Sequence, residues 1–398
     1  MVDFNGSCIQ EGNPYSMEKK MKKKLSYAYV AAFLLLLVMP TVLFTLFGEF
    51  LDQVNYEQRN AAQKPVFSLS SIDEYPSAYE AYYNDNLPFR TQLIEANGLI
   101  DFYLFRESPS DMVVLGKDGW LFYNPGGIHY NPIADYCGTS ELAEEQMAQI
   151  ASQLITARDA LEDKGKEFVL MITPNKECIY GSSYMSDRYP VVRQTTRSDM
   201  LVKYLRDNTD LRVVYPKEEL IEKIQEHNDK NFYFKSDTHW NHLGAYIGAR
   251  QLLLEIGITL PAMEELKITE NKGYSGDLVN MMGLSKYIKN DWDYSLSGYS
   301  EGTEINKEYL KEMEDPEKFV KYSTAGKDDR RICVLRDSYT TSMTPYITSQ
   351  FNECYLLHRG IYTPELLAET QADMVVLQVV EREIEYLLSF TVETDCVW

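Results

Sequence analysis

Apolar and polar positions divide this chain of 398 residues into segments of different character. From Leu25 to Phe47 the run "LSYAYVAAFLLLLVMPTVLFTLF" carries no charge. An apolar stretch of that length can cross a hydrocarbon core of about 30 Å as a helix, and Pro40 inside it is the kind of kink that membrane helices tolerate. A cleaved signal peptide is the competing reading. Its apolar region usually runs only about 7–15 residues before a small-residue cleavage site, and no such site follows here. Residues 80–105, "EAYYNDNLPFRTQLIEANGLIDFYLF", have helical apolar spacing on both sides of a break at Pro88. "MVVLGKDGWLFY" then reads as two short strands around a Lys-Asp-Gly turn. Residues 140–164 predict a helix with Thr139 or Ser140 as N-cap and Gly165 as the stop.

Beyond that point, "EFVLMITP", "LRVVYP", "RICVLRDS", "ECYLLH" and "DMVVLQVV" are short apolar runs, several separated by helical stretches. Strands alternating with helices predict an α/β fold with a doubly wound parallel sheet. Functional loops of such sheets lie at the carboxyl ends of the strands. Three polar loops are therefore expected at one rim: "TPNKE", "KSDTHWNH" and "RDSY". The organisation read from the pattern is a tail (1–24), a transmembrane helix (25–47), a membrane-proximal helical lead-in (48–110) and one folded domain (111–398).

Charge and cysteine content refine this picture. The net charge of −21 is uneven: residues 1–48 carry five Lys against three acidic groups, or +2, which leaves −23 downstream. That argues against nucleic acid as a partner, because phosphate binding needs a basic face, and it disfavours a strongly anionic glycan. Lys19, Lys20, Lys22, Lys23 and Lys24 precede the span, so the positive-inside rule puts the N-terminus in the cytoplasm and the main domain outside. Cys8 is on the cytoplasmic side. Cys137, Cys178, Cys333, Cys354 and Cys396 are exported, an odd number that leaves at least one unpaired within the chain. Cys333 and Cys354 sit in strand-like runs and read as small buried hydrophobes.

Candidate chemistry centres on two loops. Ser338 follows an apolar strand and precedes a segment able to start a helix, so its hydroxyl is expected at the open edge of the sheet, beside N–H groups suited to an oxyanion. Asp337-Ser338 is equally a helix cap. Asp237 and His239, two residues apart, could supply the orienting carboxylate and the base that a serine needs. Asp237 or Asn241 could instead merely cap the helix "HLGAYIGARQLLLEIG". Asp237, His239 and His242 could also hold a metal, although Asn241 as N-cap leaves His239 outside the helix. His129 reads as a loop residue, His227 as solvated and His358 as the end of a strand. "GYSGD" is similar to a nucleophile elbow but lacks the final glycine and a preceding strand, so Ser275 reads as a loop residue. No cofactor and no metal are expected.

Taken together and in order, "NDNLPFR", "LGKDGWLFY", "ITPNKECIY", "SDTHWNHLGA", "YSGDLVNMMG" and "LRDSYTTSMTPYI" resemble the alginate O-acetyltransferase-type SGNH-hydrolase-like family, including its DHHW branch, over roughly residues 75–390. The resemblance implies an SGNH-hydrolase-like fold and a triad of Ser338, His239 and Asp237. It also implies an outward-facing enzyme that O-acetylates a cell-surface or secreted polysaccharide through an acetyl-serine, with a membrane-bound O-acyltransferase as the partner that brings acetyl groups across. A polysaccharide O-acetyl esterase and a non-catalytic glycan-binding component of an export complex are the alternatives. Arg336 stands where many members of the family have glycine, and the Gly and Asn blocks of ordinary SGNH esterases are not recognisable. Asn175, with Lys176 beside it, is the candidate for the Asn role, and Arg359 and Arg382 are candidates to reach the rim. Tyr274, Tyr287, Trp292, Tyr294 and Tyr299 crowd an apparently irregular segment, 270–300, expected to face glycan.

Overall fold

The computed structural model describes residues 14–51, 61–127, 130–298, 306–311, 315–325 and 328–393. Cys8, His129, Tyr299 and Cys396 lie outside the described residues. The chain forms two compact units, residues 1–97 and 98–398. In the first, a continuous helix runs over Pro14–Phe47 with Pro40 inside it, and its stretch Met21–Phe50 is long and apolar enough to cross a membrane. Helix Tyr75–Asp85 follows, then Arg90–Leu99 after Pro88. Phe44 near the end of the long helix packs edge-on against Phe89, with ring centroids 5.4 Å apart.

Among the described residues, the second unit contains eleven strands: β1 (Val113–Leu115), β2 (Leu121–Tyr123), β3 (Glu167–Thr173), β4 (Val213–Val214), β5 (Ile268–Tyr274), β6 (Asp291–Leu296), β7 (Asn306–Tyr309), β8 (Phe319–Ser323), β9 (Asp328–Arg336), β10 (Phe351–His358) and β11 (Met374–Val380). Seven form one sheet in the order β4-β3-β11-β9-β10-β8-β7. The first five are parallel, with Leu377 of β11 opposite Leu170 of β3 and Leu335 of β9. β8 and β7 add an antiparallel edge, so the sheet is mixed at one side. The two-residue side-chain period sorts each central strand between two cores. Val169, Met171, Ile332, Val334, Met374 and Val376 face one. Phe168, Leu170, Ile172, Cys333, Leu335, Val375 and Leu377 face the other. A strand buried on both faces has no polar alternation to show, which is why these segments read as continuous apolar runs.

Helices Lys217–Glu226, His242–Glu255 and Thr340–Thr348 contribute to the first core, and helices Glu144–Glu162, Arg197–Asn208 and Pro364–Glu369 to the second. The helix expected from residue 140 begins at Glu144. Thr139 and Ser140 instead close the short helix Pro132–Cys137, both backbone N–H groups bonding the Ala134 carbonyl. The Ala143 N–H is met by the Gln146 side chain at 3.0 Å. Gly165 does end the helix: at φ +71° it lets Lys166 N–H reach back to Leu161 and its own N–H to Glu162, the paired bonds of a Schellman stop. Residues 268–296 are less irregular than expected. β5 and β6 form a separate antiparallel hairpin carrying the short helix Asp277–Met281 between its strands.

Candidate active site

Ser338 lies one residue beyond Asp337 at the carboxyl end of β9, ahead of helix Thr340–Thr348, and is exposed. Asp337 pins that turn from several sides. Its N–H bonds Gln378 Oε1 at 2.9 Å, Oδ1 accepts the Tyr339 N–H, and Oδ2 accepts the Val380 N–H at 2.7 Å and Arg359 Nη2 at 3.2 Å. Gln378, buried in β11, also accepts from Thr340 and donates to Thr173. Neighbouring strands thus hold the serine turn from beneath.

Asp237 and His239 sit in the loop before helix His242–Glu255, which Asn241 caps through bonds to the Leu243 and Gly244 N–H groups. This loop does not follow a strand of the main sheet, as its sequence position had suggested. It is brought to the serine by its own lacing: Trp240 Nε1 donates to the Tyr339 carbonyl at 2.9 Å, and the Tyr339 hydroxyl donates to the Thr238 carbonyl at 2.7 Å. The outcome is a continuous chain of short contacts. His239 Nε2 is 2.7 Å from Ser338 Oγ, and His239 Nδ1 is 2.6 Å from Asp237 Oδ1. A hydroxyl against one imidazole nitrogen, with a buried carboxylate on the other, is an arrangement that can move a proton off the serine.

Burial alone would raise the Asp237 carboxyl, but the hydrogen bond and charge of His239, with the Asp277 and His239 N–H groups, outweigh it and hold the group well below the usual carboxylate range. Asp237 Oδ2 accepts the Tyr274 hydroxyl at 2.8 Å and the Asp277 N–H at 2.9 Å. Tyr274, expected to face glycan, is thereby committed to the loop, its ring stacked on Phe234 with centroids 4.0 Å apart. The approach of the two segments needs Gly276, where a Cβ would run into the Ser236 backbone and the Asp237 Cβ. A strand does precede Ser275, contrary to expectation, but it is β5 of the hairpin, and the Ser275 hydroxyl is buried without a partner among the described residues.

The other predicted groups are engaged inside the protein. Asn175 is fully buried, its amide 3.4 Å from Asp135 Oδ2 and its carbonyl oxygen 3.4 Å from Arg382 Nη1. The fully buried Lys176 ammonium donates to the carbonyls of Phe234 (3.2 Å), Lys235 (3.3 Å) and Asp237 (2.5 Å), bracing the loop that carries the acid; burial pushes its pKa down. Arg359 pairs with Asp337 and Glu383, and Arg336 donates to the Glu317 carbonyl at 2.7 Å. Two groups missed from the sequence stand beside His239: Thr238, with Oγ1 3.2 Å from its Nδ1, and Asp277, with Oδ2 3.8 Å from the same nitrogen and bonded by Thr238 Oγ1 at 2.6 Å. Burial and the neighbouring Asp237 raise the pKa of Asp277. The position of Asp277 after Gly276 in "YSGD" was the available signal.

Asp237, His239 and Asp277 are close enough to consider as metal ligands. The imidazole nitrogen facing those carboxylates is already 2.6 Å from Asp237, so the same atom would have to give up that contact. His242, the third member of the metal set considered from sequence, turns away to Asp293, with Nδ1 2.9 Å from each carboxylate oxygen. Cys137, Cys178, Cys333 and Cys354 are all unpaired, and Cys333 and Cys354 are fully buried.

A family model described as "SGNH hydrolase-like domain, acetyltransferase AlgX" matches residues 113–295, a span that contains Asp237 and His239 and stops short of Ser338. The probable alginate O-acetylase AlgJ of Pseudomonas syringae pv. tomato is 26% identical over 223 residues, covering 54% of this chain and 53% of the relative. The AlgJ of Pseudomonas aeruginosa is 26% identical over 274 residues, covering 67% and 63%. The chain thus spans about half the length of the first of these relatives and somewhat under two thirds of the second. Among solved structures, Bacillus cereus PatB1 with a sulfonyl adduct aligns at a TM-score of 0.48 and 15% identity, covering 70% of this chain and 99% of that one. The O-acetyltransferase domain of Pseudomonas putida AlgJ aligns at 0.43 and 18%, covering 70% and 93%. A DHHW family protein from Eubacterium siraeum aligns at 0.44 and 15%, covering 71% and 100%. Residues 113–295 of this chain are thus similar to the SGNH hydrolase-like domain of the AlgX acetyltransferase type.

Proposed function

We propose that this protein is a membrane-anchored, outward-facing O-acetyltransferase that acetylates a polysaccharide through an acetyl-serine at Ser338, with His239 as base and Asp237 as its orienting carboxylate. The observation that carries the reading is the pair of contacts at 2.7 Å and 2.6 Å that joins the three side chains. The names of the AlgJ relatives, as probable alginate O-acetylases, support polysaccharide O-acetylation as the class of reaction.

In the first half-reaction the Ser338 proton passes to His239 Nε2 as Oγ bonds the acetyl carbonyl carbon. The Ser338 N–H, which meets no acceptor among the described residues, lies ahead of a helix N-terminus and is suited to the developing oxyanion. Collapse breaks the bond to the donor, whose leaving oxygen collects the proton from His239. In the second half-reaction a sugar hydroxyl gives its proton to His239 and attacks the acetyl-serine, and Ser338 leaves with that proton. Water in place of the sugar makes the same site an esterase. A membrane-bound O-acyltransferase is the proposed source of acetyl groups at the outer face.

The test is intact-protein mass spectrometry of the full chain in detergent micelles after brief exposure to an activated acetyl ester, comparing wild type, Ser338→Ala and His239→Ala. An acetyl-sized adduct mapping to Ser338 and missing from both variants is expected. No adduct and no ester turnover would move the protein to the non-catalytic, glycan-binding alternative.

A further inference from the structure

A cleft of about 510 Å³ is lined by residues of the β1–β2 turn, by residues of the β5–β6 hairpin and by Lys235 and Ser236. Neither Ser338 nor His239 lines it. Its volume falls within the range of about 300–1,000 Å³ typical of small-ligand sites. Tyr103, half of whose surface is exposed, and Trp292 offer rings with polar edges, the kind of surface on which the apolar face of a pyranose stacks. The Trp292 ring already accepts a cation, the Lys272 ammonium, 5.2 Å from its centroid. The lining carries four carboxylates, Asp118, Asp229, Glu270 and Asp291, and one cation, Lys235, tied to the Asp118 carbonyl at 3.2 Å; Lys230 pairs with Asp229 and lies 4.0 Å from Glu270, and Asp291 accepts the Ser236 N–H and hydroxyl.

The charge at the catalytic rim points the same way. Three arginines at the carboxyl ends of β9, β10 and β11 are engaged within the protein: Arg336 with the Glu317 carbonyl, Arg359 with Asp337 and Glu383, and Arg382 with Asn175 and the faces of Tyr123 and Tyr339. A uronate chain would bring one carboxylate per residue to a protein whose net charge is −21.

We propose that the cleft is a second saccharide subsite, one that takes uncharged or amine-bearing sugar residues of the acceptor and discriminates against uronates. This rests on the reading of the protein as a polysaccharide acyltransferase and narrows its substrate class. Lys235 and Ser236, the two residues before Asp237, line the cleft, so a chain seated there runs beside the segment that holds the triad.

The test reads binding rather than turnover. The full-length Ser338→Ala protein, in which no acetyl-serine can form, is titrated in detergent micelles by calorimetry with three probes: a glucosamine hexamer, an N-acetylglucosamine hexamer and a uronate hexamer. The first two are expected to bind and the uronate to bind at least about tenfold more weakly. Adding Trp292→Ala should weaken binding about tenfold, whereas Trp292→Phe, which keeps a ring, should restore most of it; a melting curve checks that each variant is folded. Adding Glu270→Gln should weaken the glucosamine hexamer more than its N-acetylated counterpart. Equal binding of the uronate, indifference to Trp292→Ala in folded protein, or no binding of any hexamer would each overturn the proposal. The acetyl-adduct experiment reads the triad separately, so the failure of one is not mistaken for the failure of the other.

Discussion

At the scale of single residues, Asp237 faces His239 with one carboxylate oxygen and the β5–β6 segment with the other. Its folded pKa is depressed, so the sign of its contribution is fixed: the stabilisation is complete above the unfolded value of about 3.9 and is lost as pH falls toward the folded value. The stability gap between wild type and Asp237→Asn should therefore be constant from neutral pH down to about pH 4 and narrow below it. Denaturant titrations across that range read the gap, and a gap that widens in acid would contradict the assignment. Lys176 makes a different case. Lys176→Met leaves three carbonyls of the catalytic loop without their donor, and should cost about 2–4 kcal/mol of stability and slow acetylation of Ser338. Residue type and spacing were enough to single out Ser338, His239 and Asp237. They could not show that Lys176 points inward, because a lysine beside a strand end reads the same whether its ammonium meets backbone or solvent.

At the scale of elements, the site depends on two supports: the β5–β6 hairpin, which bonds Asp237, and strand β11, which bonds the turn before Ser338. The hairpin reaches Asp237 only because Gly276 has no side chain. Gly276→Ala should push Asp277 and Tyr274 off the carboxylate, slowing adduct formation at Ser338 even where far-ultraviolet dichroism shows the fold retained. Strand β11 supplies Gln378, whose side chain bonds Asp337, Thr340 and Thr173. Gln378→Leu should cost about 2–4 kcal/mol, since it leaves buried partners unsatisfied, and an unchanged unfolding midpoint would show that the turn holds without it. The central strands were legible because burial on both faces produces unbroken apolar runs. The β5–β6 hairpin was not, since six of the seven β5 residues are exposed and the polar sequence "TENKGY" shows no buried face. The start of helix Glu144–Glu162 was misplaced by four residues, because Thr139 spends its hydroxyl on the Ala134 carbonyl of the preceding helix and the Ser140 N–H bonds the same carbonyl.

For the whole molecule, the helix of the first unit is long and apolar enough to cross a membrane, and on the proposed reading it anchors the acidic α/β second unit. The full chain is expected to stay with membranes through alkaline carbonate extraction, and protease added to intact cells should digest the domain while sparing the N-terminal tail. Release by carbonate, or protection of the domain, would reverse this arrangement. By itself the sequence determined the membrane-length span, the α/β alternation and the residue types of the site, because each depends on local composition, on periodicity or on spacing within one loop. Only the tertiary structure decided that Ser338, 99 positions from His239, lies 2.7 Å from it. It also decided that Asn175, Lys176 and Arg359 spend their polar atoms on the scaffold. Such pairings are chosen when distant segments compete for the same buried donors and acceptors, and that competition exists only once the sheet has assembled.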